Sequence, residues 1–296
     1  MVRFLTWNLQ NKNTALRQQV LGELVQEHII DVVVLQEAYG VAVASKLRQS
    51  GYKEIDYPLK GLPGGVRVFL NDQVIEQLDA RRSQDHFKKL VFVELRRRQG
   101  RDRFNVAAVH LHSKKDNTER QQQWKNQSLL RQLDQWEQEF TSTRTILVGD
   151  LNANPYEANL RDPDLLRGQE DRMLIRLLQQ KQLASRTPAG LDFWYNPMWN
   201  LLGDFDPLAA PGAQPNTRPT GTFFRYTEDE TPMWNLLDGF LVRPNLMHDV
   251  VHRESAIISS TATTNFLKPA IIGKGDSLIK EDLPDHLPVK FALNIS

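Results

Sequence analysis

The chain opens on an apolar stretch, Val2 to Trp7, that reads as a β-strand. The period then changes. Leu16, Val20, Leu24 and Val25 recur at helical spacing, with His28 on the same face, and predict a helix over residues 14–29. Asp31-Val32-Val33-Val34-Leu35 follows as a continuous apolar run, as in a buried strand. Strand, helix and strand together make a β-α-β unit.

Further elements continue the alternation. A short strand over Val66 to Leu70 follows Gly64-Gly65, and a hairpin pairs Leu90 to Leu95 with Phe104 to Leu111 around Gln99-Gly100-Arg101-Asp102. Residues 118–140 predict a long helix with Trp124, Leu129, Leu133, Trp136 and Phe140 toward the core. Thr145 to Val148 reads as a strand and Arg172 to Leu183 as a helix. Phe240 to Val242 and Leu287 to Leu293 read as closing strands. Strands and helices interleaved over the whole length, with no linker, predict one α/β domain over residues 1–296 built around a sheet sandwich. The exception is residues 186–235, rich in proline, tryptophan and glycine, which read as a long irregular loop. Within it Pro197-Met198-Trp199-Asn200-Leu201-Leu202 recurs as Pro232-Met233-Trp234-Asn235-Leu236-Leu237.

Composition narrows the chemistry. The 296 residues contain no cysteine, which excludes disulfides, thiolate nucleophiles and thiolate-held metals. A net charge of +1 supplies no global field for a polyanion, so any phosphate affinity is local. No apolar run is long enough for a signal peptide or a membrane span, which predicts a cytoplasmic protein with no membrane anchor.

Polar residues stand where the strands end: Asn8, Gln36-Glu37, His110 with His112, Asp150 with Asn152, and Asp285-His286 before the last strand. Strand ends on one sheet edge are where α/β proteins bind ligands. A donor set of amide and carboxylate oxygens suits a hard cation, Mg²⁺ or Mn²⁺, and leaves imidazoles for proton transfer or phosphate contact.

Seven segments in order, Trp7-Asn8, Leu35-Gln36-Glu37, Gly65-Val66, Val109-His110-Leu111, Gly149-Asp150-Leu151-Asn152-Ala153, Leu237-Asp238-Gly239-Phe240 and Asp285-His286-Leu287-Pro288, resemble the endonuclease/exonuclease/phosphatase superfamily. These are metal-dependent phosphoesterases related to pancreatic deoxyribonuclease and the apurinic/apyrimidinic endonucleases. The resemblance runs from residue 2 to about residue 293. It implies a four-layer α/β sandwich, two mixed β-sheets packed face to face with helices outside, and hydrolysis of a phosphate ester by metal-assisted attack of water.

Carried over residue by residue, the resemblance makes Glu37 the principal metal ligand, with Asn8 and Asp285 completing the shell. Asp150 is then the group that deprotonates water, and Asn152 the one that holds the water or a phosphate oxygen. His286, paired with Asp238, contacts the scissile phosphate, and His110 stands near the leaving oxygen. Strand alternation puts His112 on the face of His110, so either imidazole fits that role: the Val-His-Leu frame favours His110 and the His112-Ser113 pair favours His112. Two points stand out. Of the acidic or amide residue many members carry two after the asparagine this chain has Gln10, a poorer metal ligand than Asp, which speaks against a two-metal arrangement, and Pro284 precedes Asp285 in place of Ser or Thr.

Nine Lys or Arg against three acids between Arg81 and Arg103 suggest a nucleic-acid surface. Strand geometry puts Arg96, Arg97, Arg98, Arg101 and Arg103 at the far hairpin end, about ten residues at about 3.3 Å each from His110. Lys88, Lys89, Lys114 and Lys115 lie at the near end, and with His112 they are the candidates for substrate contact. The expected activity is a Mg²⁺-dependent nuclease acting on DNA or RNA, with Mn²⁺ able to replace Mg²⁺. The alternatives are a phosphatase or phospholipase on a small phosphorylated molecule or lipid head group, and a non-catalytic binding module on the same fold. A binding module would have lost Glu37, Asp150 or His286, and all three are present.

Overall fold

The computed structural model of the chain describes all residues except 12–13, 41, 57–64, 84–88, 116, 141, 186–192, 204–218, 227–231 and 270–276; of 182–185 it describes the backbone. The elements run β1 (Val2–Asn8), α1 (Ala15–Glu27), β2 (Val32–Gln36), α2 (Ala42–Gln49), β3 (Tyr52–Glu54), β4 (Val66–Asn71) and β5 (Ile75–Arg82). The middle of the chain supplies β6 (Leu90–Arg97), β7 (Arg103–His110), α3 (Glu119–Glu139), β8 (Thr145–Asp150), α4 (Ala158–Arg161), β9 (Gly168–Gln169), α5 (Arg172–Ser185) and β10 (Trp194–Tyr195). The last third adds β11 (Phe223–Arg225), β12 (Met233–Asn235), β13 (Asp238–Val242), β14 (Ala256–Ile257) and β15 (Val289–Leu293). A six-stranded mixed sheet has the order β14-β15-β1-β2-β4-β3, a seven-stranded one β5-β6-β7-β8-β13-β10-β9, and β11 and β12 form a separate hairpin. The architecture is the four-layer α/β sandwich.

Period-two alternation explains the layers. In β6, Val91, Val93 and Leu95 face the space between the sheets, while Leu90 and Phe92 face α3. In β7, Phe104, Val106 and Ala108 point inward and Ala107 and Val109 outward. Aromatic rings span the gap between sheets: Phe291 stacks on Phe4 at 4.7 Å and on Phe240 at 3.7 Å. Thr14 caps α1 by accepting the Arg17 N–H at 3.3 Å, and Thr118 with Gln121 forms a capping box on α3. At its other end α3 is fixed to the sheet by a buried pair, Arg243 Nε donating to Glu137 at 3.1 Å.

The structure corrects parts of the sequence reading. Trp124 is 72% exposed, because the buried face of α3 runs through Gln122, Asn126, Leu129, Leu130, Leu133 and Trp136. Two residues from Gln122 is about 200° around a helix, so Trp124 must point outward. β7 ends at His110, so strand alternation does not extend to His112. The irregular region contains order: β10, a 3₁₀ helix over Pro197–Leu201, and the β11–β12 hairpin. The rest of 186–235 lies largely outside the described residues, as does Lys88. Helix α2 and strands β3, β5, β9 and β14 add to the elements read from the pattern.

Candidate active site

Strand pairing gathers the polar strand ends at one rim. Parallel β1 and β2 bring Asn8 beside Gln36, parallel β7 and β8 bring His110 beside Asp150, and antiparallel β13 puts Asp238 opposite Asp150. β15 runs against β1 with Val289 opposite Thr6, which carries Asp285 and His286 beyond the same edge. All the catalytic and metal-ligand candidates meet in one network there, and the candidates for substrate contact do not.

Asn8 is the hinge between the sheets. Its Nδ2 donates to Asp150 Oδ2 at 2.9 Å and lies 3.5 Å from Glu37 Oε1, while its Oδ1 accepts the Gln10 N–H at 2.9 Å. Asp150 Oδ1 accepts the Asn152 N–H at 2.9 Å, and Asn152 Nδ2 donates to the Leu111 carbonyl at 2.9 Å. His110 Nε2 stands 3.6 Å from Asp150 Oδ2 and 3.8 Å from Glu37 Oε1. Across the rim His286 Nδ1 and Asp238 Oδ2 are 2.6 Å apart, and His286 Nε2 is 4.0 Å from Asp285 Oδ1. The half-buried Phe223 ring lies 5.1 Å from the His286 ring.

Backbone strain concentrates here. Among the described residues six non-glycines have positive φ, and Gln10, Asn11, Glu37 and Asn152 are four of them. Gly149, at φ +147°, shows why its position takes no side chain: a Cβ would sit 1.9 Å from the Val109 carbonyl oxygen.

The electrostatics separate the two imidazoles. Burial lowers His110 to about 4, with Lys89, His286 and His112 adding to the shift and Asp150 opposing it. Burial alone would lower His286 too, but the Asp238 carboxylate, with Asp150 and Asp285 behind it, raises it to about 10. Burial pushes Glu37 up, and the charges of Asp150 and Asp285 push the same way against the Asn8 hydrogen bond.

Four carboxylates crowd one cationic imidazole at this rim, an excess of negative charge and hard oxygen donors that suits a divalent cation. Among the described residues one grouping brings several ligand atoms together. Asp150, Asp238 and His286 offer ligand atoms within 4.8 Å of one another, and Asp238 Oδ1 is buried with no hydrogen-bond partner. Beside it stand Asn8 with Glu37, and Asp285, whose Oδ2 accepts from Gln10 Nε2 at 2.9 Å.

The remaining candidates sit farther out. Lys114 is ion-paired with Glu157, and Lys89 Nζ lies 3.5 Å from the Leu111 carbonyl. His112 is held by its backbone: its N–H donates to Asn126 Oδ1 at 2.9 Å and its carbonyl accepts from Gln122 Nε2 at 2.6 Å.

Three supports escaped the sequence reading. Thr222 Oγ1 accepts the Leu237 and Asp238 N–H groups at 3.1 Å, and its carbonyl accepts the Leu287 N–H at 2.8 Å, tying both sides of the Asp238–His286 pair. The buried Arg17 donates to the carbonyls of Leu9 at 2.9 Å and Asp282 at 3.2 Å, joining the segments that carry Asn8 and Asp285. The third is the amide set Gln122, Asn126 and Asn159, whose signal was an i, i+4 pair of amides on an otherwise apolar helix face.

Among the described residues no helix is long and apolar enough to cross a membrane. No curated protein matches the chain. Its fold is similar to that of D. rerio TDP2 solved with a single-strand DNA product, at 17% identity and a TM-score of 0.60 over 99% of this chain and 98% of that one. It is also similar to the 3′ phosphatase NExo from Neisseria bound to a product DNA hairpin, at 15% identity and a TM-score of 0.56 over 99% and 100% of the two chains. A mannosyl-6-phosphatase from Bacteroides thetaiotaomicron matches at 14% identity and a TM-score of 0.58 over 99% of each chain. The sequence profile of the Endonuclease/Exonuclease/phosphatase family matches residues 5–259, and the chain belongs to that family of phosphoesterases.

Proposed function

We propose that the protein is a divalent-metal-dependent nuclease that hydrolyses DNA or RNA phosphodiester bonds by attack of water. The observation that carries the reading is the hydrogen-bonded convergence of Asn8, Glu37 and Asp150 beside the His286–Asp238 pair. Glu37, Asn8 and Asp285 would hold Mg²⁺, or Mn²⁺ in its place, through oxygen donors that suit a hard cation, leaving His286 Nε2 for the phosphate. A cation bound there would neutralise phosphate oxygens and leaving-group charge. Asp150 takes the proton of the attacking water, with its carboxylate oriented by Asn8 and the Asn152 N–H. Asn152 positions that water or a phosphate oxygen. His286 has Nδ1 committed to Asp238, so Nε2 donates to the phosphate, and its positive charge favours a phosphoryl oxygen. His110, neutral at pH 7, stands near the leaving oxygen. His112, Lys89 and Lys114 lie toward the substrate side, Lys114 by sharing its charge between Glu157 and phosphate.

Nucleic acid is the favoured substrate because two proteins of similar fold were solved with DNA products. The second reading, a phosphatase or a phospholipase-type phosphodiesterase on a small phosphorylated molecule or lipid head group, is favoured by the mannosyl-6-phosphatase likeness. The deciding assay offers plasmid DNA, single-stranded DNA, RNA and a phosphomonoester panel in parallel with Mg²⁺, with Mn²⁺ and with excess EDTA. Expected are cleavage of a nucleic acid, its loss in EDTA and its recovery with either cation. Turnover undiminished by exhaustive chelation overturns the metal role, and hydrolysis of monoesters alone shifts the reading to a phosphatase. Asp150→Asn is expected to lower turnover about 10²–10⁴-fold with an unchanged melting profile.

A further inference from the structure

Three buried amides stand behind the rim, each at most 1% exposed: Gln122 and Asn126 on α3, and Asn159 on α4. Their hydrogen bonds form an unbroken chain, Asn126 Nδ2 to Asn159 Oδ1 at 3.2 Å and Asn159 Nδ2 to Gln122 Oε1 at 2.7 Å. Both ends of the chain reach the active rim. Gln122 Nε2 donates to the carbonyls of His112 at 2.6 Å and Asn152 at 3.1 Å, and Asn126 Oδ1 accepts the His112 N–H at 2.9 Å. One primary amide thus uses two donors and one acceptor on three different partners, which no other neutral side chain of that length supplies.

We infer that Gln122 is a positioning residue: it fixes the loop after β7 against the loop after β8, and so sets Asn152 and, through the Asn152 N–H, the carboxylate of Asp150. The inference rests on the phosphoesterase reading for its kinetic consequence and on the hydrogen bonds for its structural one. Docking of α3 does not explain the network. Leu129, Leu130, Leu133 and Trp136 supply the apolar contact, and the Arg243–Glu137 pair locks the helix at its far end. The two loops also bond each other, Asn152 Nδ2 donating to the Leu111 carbonyl at 2.9 Å, and Gln122 adds the further carbonyls of His112 and Asn152. Asn152 sits at φ +48°, a strained conformation that persists only where its surroundings over-determine it.

The test compares wild type, Asp150→Asn, Gln122→Met and Gln122→Glu. Kinetics use the phosphoester that wild type hydrolyses, and amide hydrogen exchange is followed at residues 110–113 and 150–153 without substrate. Gln122→Met is expected to lower kcat about 10–100-fold with KM within about threefold, and to speed His112 exchange by at least about tenfold, leaving the interiors of β7 and β8 protected. Gln122→Glu supplies the discriminating readout. A protonated carboxyl still donates to one carbonyl, but a carboxylate repels both, and burial raises the pH at which it ionises. Its kcat is therefore expected to approach wild type at low pH and to fall as pH rises, with melting temperature monitored at each pH. His112 beside the loop, Asp150 on β8, Glu157 before α4 and Lys125 on α3 are common to wild type and both Gln122 variants, so the difference from wild type belongs to residue 122.

An unchanged kcat in Gln122→Met, or wild-type pH dependence in Gln122→Glu, overturns the inference. Should Gln122→Met fail to fold, the pH profile of Gln122→Glu decides alone. Should wild type hydrolyse no phosphoester, the functional reading fails and the exchange data still decide: unaltered exchange in both loops overturns the positioning role, and faster exchange at His112 sustains it.

Discussion

Two imidazoles a few ångströms from the same carboxylate differ in charge, one cationic and one neutral, because Asp238 is bonded to one and burial dominates the other. In the cation-free protein at pH 7, side-chain ¹⁵N spectra are expected to show His286 as an imidazolium that titrates near 10 and His110 as a neutral ring down to about 4. A neutral His286 at pH 7 would contradict the pairing. The stability consequences have opposite signs. His286, raised in the fold, contributes fully below the ordinary imidazole range near 6.5 and loses its contribution as pH climbs through about 10. Asp238→Asn should therefore cost on the order of 3 kcal/mol in urea denaturation at pH 6, a gap that closes toward pH 10. His110, depressed in the fold, costs stability as pH falls from about 6.5 toward 4. At this scale the sequence was legible for side chains that end strands, since motif order carried them. It was illegible for Gln122 and Asn126, because choosing Trp124 for its hydrophobicity rotated the assumed face of α3 away from the amides, and for Asn159, because the four-residue α4 is too short to show a period.

Helices and strands show how far a local pattern reaches. The β6–β7 hairpin and α3 were readable because alternation and helical spacing run uninterrupted through them. β5 was not: Ile75-Glu76-Gln77-Leu78-Asp79-Ala80-Arg81-Arg82 is an edge strand with a bulge at Gln77/Asp79, and its polar face hides the alternation. The repeated hexapeptide is the sharper case. Its first copy is a 3₁₀ helix started by Asn196, whose side chain accepts the Met198 N–H, and its second is strand β12 paired with β11. Identical residues take two conformations because their partners differ. Met198 packs against Gly239, where a Cβ would lie 2.5 Å from its Cε, whereas Asn235 and Leu236 are held by Asn154. Tertiary context outweighs local propensity here. The close approach of β7 to β8 gives a prediction at the same scale. Gly149→Ala forces a methyl to within 1.9 Å of the Val109 oxygen at φ +147°, so chemical denaturation is expected to show a loss above about 4 kcal/mol. A loss under about 1 kcal/mol would mean that the parallel pair yields easily.

At the scale of the whole molecule, charge is divided between two poles. Arg96 is paired with Glu76, Arg97 donates to the Ile295 carbonyl and Arg98 to that of Asp72, all at the end of the sandwich opposite the rim. Neutralising these three together should leave the salt dependence of nucleic-acid binding unchanged. Neutralising Lys89, Lys114 and Lys115 should flatten it, each lost phosphate contact removing about 0.9 from the log–log slope on duplex DNA. Titration of binding across a salt series checks both variants, and a flattened slope from the arginine variant would mean that substrate reaches the far pole. The rim itself depends on both sheets: Asn8, Glu37 and Asp285 belong to the six-stranded side, and His110, Asp150 and Asp238 to the seven-stranded one. The six-stranded sheet is also closed by chain made late, since β15 inserts between β14 and β1, pairing Val2 with Leu293. Synthesis is therefore a built-in delay. However early β1 to β8 emerge, the centre stays incomplete until Asp285 and His286 have been made and β15 has found its slot between β14 and β1.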